Sequence, residues 1–369
     1  MTVLGLIGKP NVGKSSFFKA STLKDVEVAN YPFTTIKPNL GVTHAKTECP
    51  KKECNPRRGA CIKQNRFVPL EIYDVAGLVP GAHKGKGLGN MFLDDVRRSK
   101  VLIMVVDVSG KTDKEGNEGE GNAIEDVKFV LEEFDLWLAG IVEKLTNKYG
   151  KLDENLKDLS GLGITEYDTN MTLKDGPPKG NCLEFATRLR KRAKKVIIAA
   201  NKADISTRWL KELETLGFPV VATSAAYELI LRQASESGFI EYSSGQGSFK
   251  IIKELDPKQR AVLEKIQGFL KEFGSTGVQK VIDLATFELA ELIAVYPVED
   301  ENKWIDKSGN VLPDCFLMEK GSNAKDLAYK VHTSIGDGFI RAIDAKTHKA
   351  IGADHELKSG DVIRIVARK

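Results

Sequence analysis

The run "GLIGKPNVGKSSFF", Gly5–Phe18, constrains this chain more than any other stretch. "VLGLIG" reads as a short apolar strand, Gly8, Gly13, Lys14 and Ser15 satisfy G-x-x-x-x-G-K-[ST], and "SFFKAST" continues as a helix. Strand, glycine loop and helix in that order form an anion cradle. Glycines let the backbone wrap closely with its N–H groups pointing inward, and the helix turns its positive end to the same place. The segment Gly8, Lys9, Pro10, Asn11, Val12, Gly13, Lys14, Ser15 and Ser16 is therefore the candidate phosphate loop. Lys14 adds a point charge at the outer phosphates, and the Ser15 hydroxyl is a magnesium ligand. The plain alternative, a glycine-rich turn matching by chance, is weakened by the strand before it and the helix after it.

A phosphate loop does not name a base. After the apolar strand "KVIIAA" come Asn201, Lys202, Ala203 and Asp204 ("NKAD"), and after "FPVVA" come Thr223, Ser224 and Ala225 ("TSA"). Both lie at strand ends, where open α/β sheets bind ligands. The Asp204 carboxylate accepts two hydrogen bonds from the ring N–H and exocyclic amine of guanine. Adenine offers neither donor there, so the charge would stay unpaired. Alone, N-K-x-D could be a polar helix cap. Behind a phosphate loop it points to GTP.

Between these motifs, "VPLEIYDVAGL" is a strand ending in D-x-x-G: Asp74 is placed to hold magnesium, and the Gly77 N–H to reach the third phosphate. In "YPFTTIKPNLG" a threonine hydroxyl completes the metal shell; Thr35 is preferred to Thr34, with simple strand propensity as the rival reading. Lys14, Thr35 and Gly77 are thus the candidate catalytic groups. His83 sits in a glycine-rich loop, "GAHKGKGLGN", which suits a surface histidine in a moving segment better than a general base.

The set "GKPNVGKS", "YPFTTIKPNLG", "DVAGLVPGAHKGKGLGN", "NKAD" and "TSA" resembles the Obg superfamily of GTPases, in particular its YchF-related archaeal and eukaryotic branch. The resemblance spans most of the chain. It implies an α/β P-loop (G) domain with an inserted α-helical hairpin, a C-terminal α+β ubiquitin-like (β-grasp, TGS) domain, and association with ribosomes or RNA. YchF itself carries a fourth motif altered toward adenine, whereas Asp204 here keeps the guanine reader, so the ATP preference is not carried over. Leu78 stands where Ras-like enzymes have a water-orienting glutamine. Relatives with an apolar residue there recruit potassium through a loop asparagine, which matches Asn11. The alternative is that Asn11 only braces its loop.

The expected divisions are 1–110 and 195–288 for the two parts of the G domain, 111–194 for the insertion and 289–369 for the TGS domain. Within the insertion, Ile124, Val127, Leu131, Phe134, Leu138, Ile141 and Leu145 form one apolar stripe on a long helix. "CLEFATRLRKRAKK" is its expected returning partner, "NMTLKDGPPKGN" an irregular tip, and the acidic "KTDKEGNEGEGN" a mobile linker. In the last domain "NAKDLAYKVH" reads as a capped helix and "GFIRAID" and "DVIRIVA" as half-buried strands. Lys346, His348, Lys349 and Lys358 are candidate phosphate contacts there.

Cys49, Cys54 and Cys61 lie in an excursion after "YPFTTIKPNLG", with His44 nearby. Their spacings lack the tight C-x-x-C knuckle, so a structural zinc, a disulfide and free thiols all stay open. Between Lys46 and Arg66 seven cations face two acids, Glu48 and Glu53, and this basic hairpin fits an RNA-facing tip or a merely solvated one. The whole chain is nearly balanced, at +4 from 55 basic and 51 acidic residues, so its overall charge does not argue for nucleic acid. The longest apolar run, Val101–Val106, is a buried-strand length. No signal-peptide pattern opens the chain, so a cytoplasmic, non-membrane protein is expected. Three functional classes remain: a GTP-hydrolysing switch, a nucleotide-stabilised RNA or ribosome binder with negligible hydrolysis, and an ATPase.

Overall fold

The computed structural model describes residues 3–22, 40–74, 77, 81, 99–149, 157–178 and 181–368. Thr34, Thr35, Leu78 and His83 lie outside them. Two compact units divide the chain: Met1–Thr22, Ile36–Gly41 and Glu71–Val281 form one, and Leu23–Thr35, Val42–Leu70 and Ile282–Lys369 the other. The strands, in chain order, are β1 (Val3–Ile7), β2 (Leu40–Glu48), β3 (Ala60–Ile62), β4 (Asn65–Asp74), β5 (Ser99–Asp107), β6 (Lys195–Asn201), β7 (Val220–Ala222), β8 (Ile240–Glu241), β9 (Lys250–Ile251), β10 (Leu292–Val298), β11 (Phe316–Glu319), β12 (Phe339–Asp344), β13 (Lys349–Ile351) and β14 (Val362–Ala367).

In the first unit the Glu71–Asp74 end of β4, then β1, β5, β6 and β7, run side by side and all parallel. Parallel strands covered on both faces need apolar residues throughout rather than alternation. That is why "VLIMVV" and "VIIAA" are buried along their whole length. Between β5 and β6 the helix Ala123–Tyr149 packs against the helix Cys182–Ala193, the expected returning partner. Their seam holds a buried ion pair: the Arg190 guanidinium donates through Nε to Asp135 Oδ1 and through Nη2 to Oδ2 at 3.2 Å, and the Thr187 hydroxyl donates to the same carboxylate at 2.9 Å.

Three expectations for the insertion change. The buried line of the long helix runs Ala123, Val127, Val130, Phe134, Leu138, Val142, with Leu131 and Ile141 only partly covered, because a straight helix of 3.6 residues per turn drifts away from a strict 3–4 alternation. Asn170–Lys174 of the expected irregular tip continue the helix Glu166–Lys174, which Thr165 and Asp168 start with a capping box. "KTDKEGNEGEGN" is a folded loop, not a free linker: the Asp113 carboxylate accepts from the Glu115 and Asn117 N–H groups, and Thr112 bridges Glu118. Acidic composition misled because Asp and Asn side chains here satisfy backbone donors locally.

β7 leads through Thr223 into the helix Ala225–Glu236, whose cap is Ser224, and the helix Pro257–Phe273 begins on an Asp256–Gln259 capping box and ends at Gly274, φ +76°. Among the described residues no helix is long and apolar enough to cross a membrane.

In the second unit the strand order β11-β10-β14-β12-β13 forms a mixed sheet, with β10 and β14 parallel and the other pairs antiparallel. The helix Ala324–Val331, capped by Asn323, buries Ala324 and Leu327 against Ile293, Val295, Ala342 and Ile363. This is the small mixed sheet with its helix that the C-terminal segment suggested, with a further short helix, Thr333–Asp337, following it. The same unit contains the hairpin of β3 and β4, antiparallel through Cys61 and Arg66. The hairpin is fastened to residues 311–314: the Asn55 N–H donates to the Val311 carbonyl and the Arg57 N–H to that of Pro313, each at 2.8 Å, and the Arg57 guanidinium pairs with Asp314 at 2.6 Å. Lys51 donates to the Lys303 carbonyl at 2.6 Å. Several cations of the basic tip are thus spent inside the unit, while Lys52 and Arg58 are exposed. None of the five cysteines forms a disulfide; Cys49, Cys54 and Cys61 come together, and His44 is not part of that group.

Candidate nucleotide site

The carboxyl ends of β1, β4, β5, β6 and β7 deliver Gly8, Asp74, Asp107, Asn201 and Thr223 to one edge of the parallel sheet. This is where an open α/β sheet leaves room for a ligand. The loop after β1 turns on three positive φ angles, +147° at Gly8, +58° at Asn11 and +93° at Gly13. A Cβ on Gly8 would meet the Val105 carbonyl oxygen at 2.4 Å, and one on Gly13 the Asn201 side-chain nitrogen at 2.3 Å, so both positions require glycine. Gly13 caps the helix Lys14–Ser21, whose first-turn N–H groups have no intrahelical acceptor.

Lys14 is buried and donates to the Lys9 carbonyl at 2.9 Å; burial lowers its pKa, opposed by the neighbouring Asp74. The Ser15 hydroxyl donates to Asp74 Oδ2 at 3.1 Å. Burial pushes the Asp74 carboxyl up, although the Ser15 hydrogen bond and the Lys14 charge pull the other way, and its Oδ1 is buried with no partner among the described residues. A hydroxyl and an orphaned carboxylate oxygen side by side are the donors a hard divalent cation such as Mg2+ takes. At Gly77 a Cβ would lie 3.0 Å from Pro10 N and 3.2 Å from Lys14 Nζ, so glycine brings this backbone directly over the phosphate loop.

The folded loop after β5 braces the cradle from outside. Lys9, 1% exposed, donates to the Thr112 carbonyl and pairs with Asp126, both at 2.7 Å. The Asn11 side chain donates to the Gly116 carbonyl at 2.8 Å, so it reaches beyond its own loop and leaves its Oδ1 available.

On the base side, Asn201 ties two motifs together: its Nδ2 donates to the Val12 carbonyl at 2.9 Å and its Oδ1 accepts from the Ala225 N–H at 3.1 Å. Lys202, at φ +62°, sends Nζ to Asp107 at 2.7 Å and to the Thr112 hydroxyl at 3.2 Å. Thr223 and Ala203 are joined backbone to backbone, and Ser224 accepts from the Tyr227 N–H at 3.1 Å. The Asp204 side chain, by contrast, is half-buried with no hydrogen-bond or ion-pair partner among the described residues, and the Thr223 hydroxyl is buried and likewise unpartnered there.

Sequence reasoning passed over Asp107. It accepts from the Ser109 N–H at 2.9 Å, the Ser109 hydroxyl at 2.6 Å, the Thr112 hydroxyl and Lys202. Burial pushes its carboxyl up, but those bonds outweigh burial and leave it below the ordinary carboxylate range. An acid at the end of the most apolar strand, in "VVDVSG", was the available signal.

Comparison with known proteins agrees with this geometry. Residues 3–158 match the family described as 50S ribosome-binding GTPase, 199–300 the Obg-like GTPase YGR210-like, G4 motif-containing domain, and 308–367 the TGS domain. An uncharacterized GTP-binding protein of Methanocaldococcus jannaschii is 49% identical over all of this chain and 99% of its own length. The chain belongs to the Obg-like GTPases. Its fold is accordingly that of a P-loop GTPase domain joined to a TGS domain. Among solved structures, the GTP-binding protein from Pyrococcus horikoshii OT3 is 38% identical with a TM-score of 0.76, each chain covered completely. The YchF GTPase of Schizosaccharomyces pombe, 21% identical with a TM-score of 0.58 over 99% of this chain and 97% of its own, shares the fold. The protein named ribosome-binding ATPase YchF in Bacillus subtilis is 27% identical over 97% of either chain.

Proposed function

We propose that this Obg-like GTPase binds GTP and hydrolyses it to GDP and phosphate, using the two nucleotide states to change its hold on a ribosome or RNA in the cytoplasm. The observation that carries the base preference is Asp204, a carboxylate left without a partner among the described residues while the side chains of Asn201, Lys202 and Ser224 are committed to holding the wall around it. Guanine fills that need with two donors and adenine with none.

The loop from Gly8 to Ser16 holds the phosphates through its backbone donors, and Lys14 and the Gly77 N–H neutralise charge that builds between the outer phosphates. Ser15, Asp74 and Thr35 would hold Mg2+, which when bound supplies further charge neutralisation at those oxygens. Leu78 offers no hydrogen bond to a water; the Asn11 oxygen, left over when its amide donates to Gly116, would hold a potassium ion, which when bound would supply charge stabilisation at the outer phosphates. The docking groups are basic and on the second unit: Lys346, His348, Lys349 and Lys358 are exposed. They read phosphate and shape rather than base sequence.

Competition of labelled GTP by unlabelled GTP and ATP tests the base preference, with Asp204→Ala as control; equal competition by ATP refutes it. Turnover measured in potassium and in sodium, with and without ribosomes, tests the rest. Equal rates in the two salts remove the potassium ion, and turnover that stays near zero with ribosomes present makes the chain a nucleotide-stabilised binder instead of a switch.

A further inference from the structure

Cys49 follows β2 and its N–H donates to the Gln64 carbonyl at 2.8 Å, Cys54 lies in the turn beyond it, and Cys61 is on β3 opposite Arg66. Their three sulfurs all lie within 4.8 Å of one another, and Cys49 and Cys54 are 3.4 Å apart. Zn–S bonds of about 2.3 Å at tetrahedral angles place sulfurs about 3.8 Å apart, so small side-chain rotations would bring this group to a metal. Cys315, immediately before β11, packs against the same buried cluster as the three, but its sulfur is not among those within 4.8 Å of one another and would have to turn inward to join them.

Arg66 gives an independent reason to expect negative charge here. It is 1% exposed, donates to the Leu312 and Pro313 carbonyls at 3.0 and 3.1 Å, and reaches Cys54 Sγ at 4.0 Å. Its Nε has no partner, and no carboxylate pairs with it among the described residues. A guanidinium taken out of water needs an anion. The neighbouring Asp314 carboxylate is taken by Arg57, and Cys54 is within reach, so the sulfurs are left to supply one.

We propose that Cys49, Cys54, Cys61 and Cys315 form a structural Zn2+ site in the second unit, with Arg66 as the cation beside its thiolates. Four thiols release four protons to solvent as the ion binds; the resulting Zn–S4 group carries a charge of −2, which Arg66 partly offsets. The ion then cross-links the hairpin to the strand that begins at Phe316, between segments that Asn55, Arg57 and Arg66 already hold in register. A disulfide between Cys49 and Cys54 would take two of the sulfurs and leave Arg66 facing uncharged groups, and four neutral thiols would do the same. No cysteine belongs to the nucleotide site, so this inference stands apart from the proposed function.

The test is metal analysis of the full-length chain, purified under reducing conditions, followed by cobalt titration of the chelator-treated protein. One zinc per chain and one tetrahedral, thiolate-ligated cobalt displaced by zinc are expected. No zinc after growth and refolding with added zinc, a flat cobalt titration, or iron in place of zinc overturns the proposal. Cys49→Ser, Cys54→Ser and Cys61→Ser each reduce the stoichiometry from one to near zero, while Cys182→Ser, in the other unit, keeps it at one. Should those variants fail to fold, the cobalt spectrum of the unaltered chain still decides. Cys315→Ser lowers zinc affinity and weakens the thiolate-to-cobalt charge-transfer band; an unchanged band overturns its place as the fourth ligand.

Discussion

Replacing Asp204 with asparagine exchanges one oxygen for an amide nitrogen on a side chain that makes no hydrogen bond or ion pair among the described residues. Each hydrogen bond to a charged group contributes about 1.5–3 kcal/mol, so the two from guanine together contribute about 3–6 kcal/mol. The substituted side chain would keep one acceptor but turn a donor toward the guanine amine. GTP affinity should therefore fall roughly a hundred- to ten-thousand-fold. Xanthosine triphosphate carries oxygen in place of that amine, matches the new donor, and should gain affinity in the Asp204→Asn protein. Because nothing in the described fold leans on this carboxylate, the nucleotide-free variant should unfold within about 0.5 kcal/mol of the unaltered protein. Calorimetric titration with GTP, ATP and xanthosine triphosphate, beside a denaturant melt, measures all of this. An unchanged GTP affinity, or no gain for xanthosine triphosphate, would refute the assignment of this carboxylate to the base.

Gly13→Ala forces a Cβ to within 2.3 Å of the Asn201 amide at a φ of +93°; it should lose nucleotide retention and about 1–3 kcal/mol of stability, read by thermal unfolding. Arg190→Met strands the buried Asp135 carboxylate at the seam of the inserted helices and should cost about 3–5 kcal/mol in a denaturant melt. Lys194 is buried, with Nζ on the Ser99 carbonyl at 2.6 Å, and burial lowers its pKa from 10.5 to about 8. A lysine pKa depressed on folding means that the unfolded chain holds the proton longer, so stability should rise between pH 8 and 10.5, by at most about 3 kcal/mol. Lys194→Met should flatten that rise in melts across the window; an equal slope in both proteins would exclude Lys194 as its source.

The parts that depend on neighbours in sequence were readable beforehand. Gly8, Gly13, Lys14 and Ser15 sit within one short loop, and the strands "VLIMVV" and "KVIIAA" announce themselves by length and apolarity. What escaped was held by contacts between distant segments. Asp107 looks like any acid at a strand end until Lys202 folds onto it. The loop from Lys111 to Asn122 looks disordered by composition, yet Lys9 and Asn11 bind it from far upstream. The long helix was expected in the right place with its apolar face one position off at Val130 and Val142, since heptad spacing and helical pitch differ by a few degrees per residue. The cysteines were visible, but Cys315 lies far beyond Cys61 in the chain, shares no motif with it, and is brought near only by the fold.

That the hairpin Val42–Leu70 belongs with Ile282–Lys369 sets an order for the birth of this molecule. At ribosomal speeds of about 5–20 residues per second, roughly ten to forty seconds separate the emergence of the hairpin from that of the first residues it packs against. Throughout that interval a nascent, lysine-rich loop bearing three sulfhydryls waits for its mate, open to oxidants, metals and chaperones alike. Expression conditions that slow elongation should therefore affect the C-terminal half of the protein more than the half that grips nucleotide.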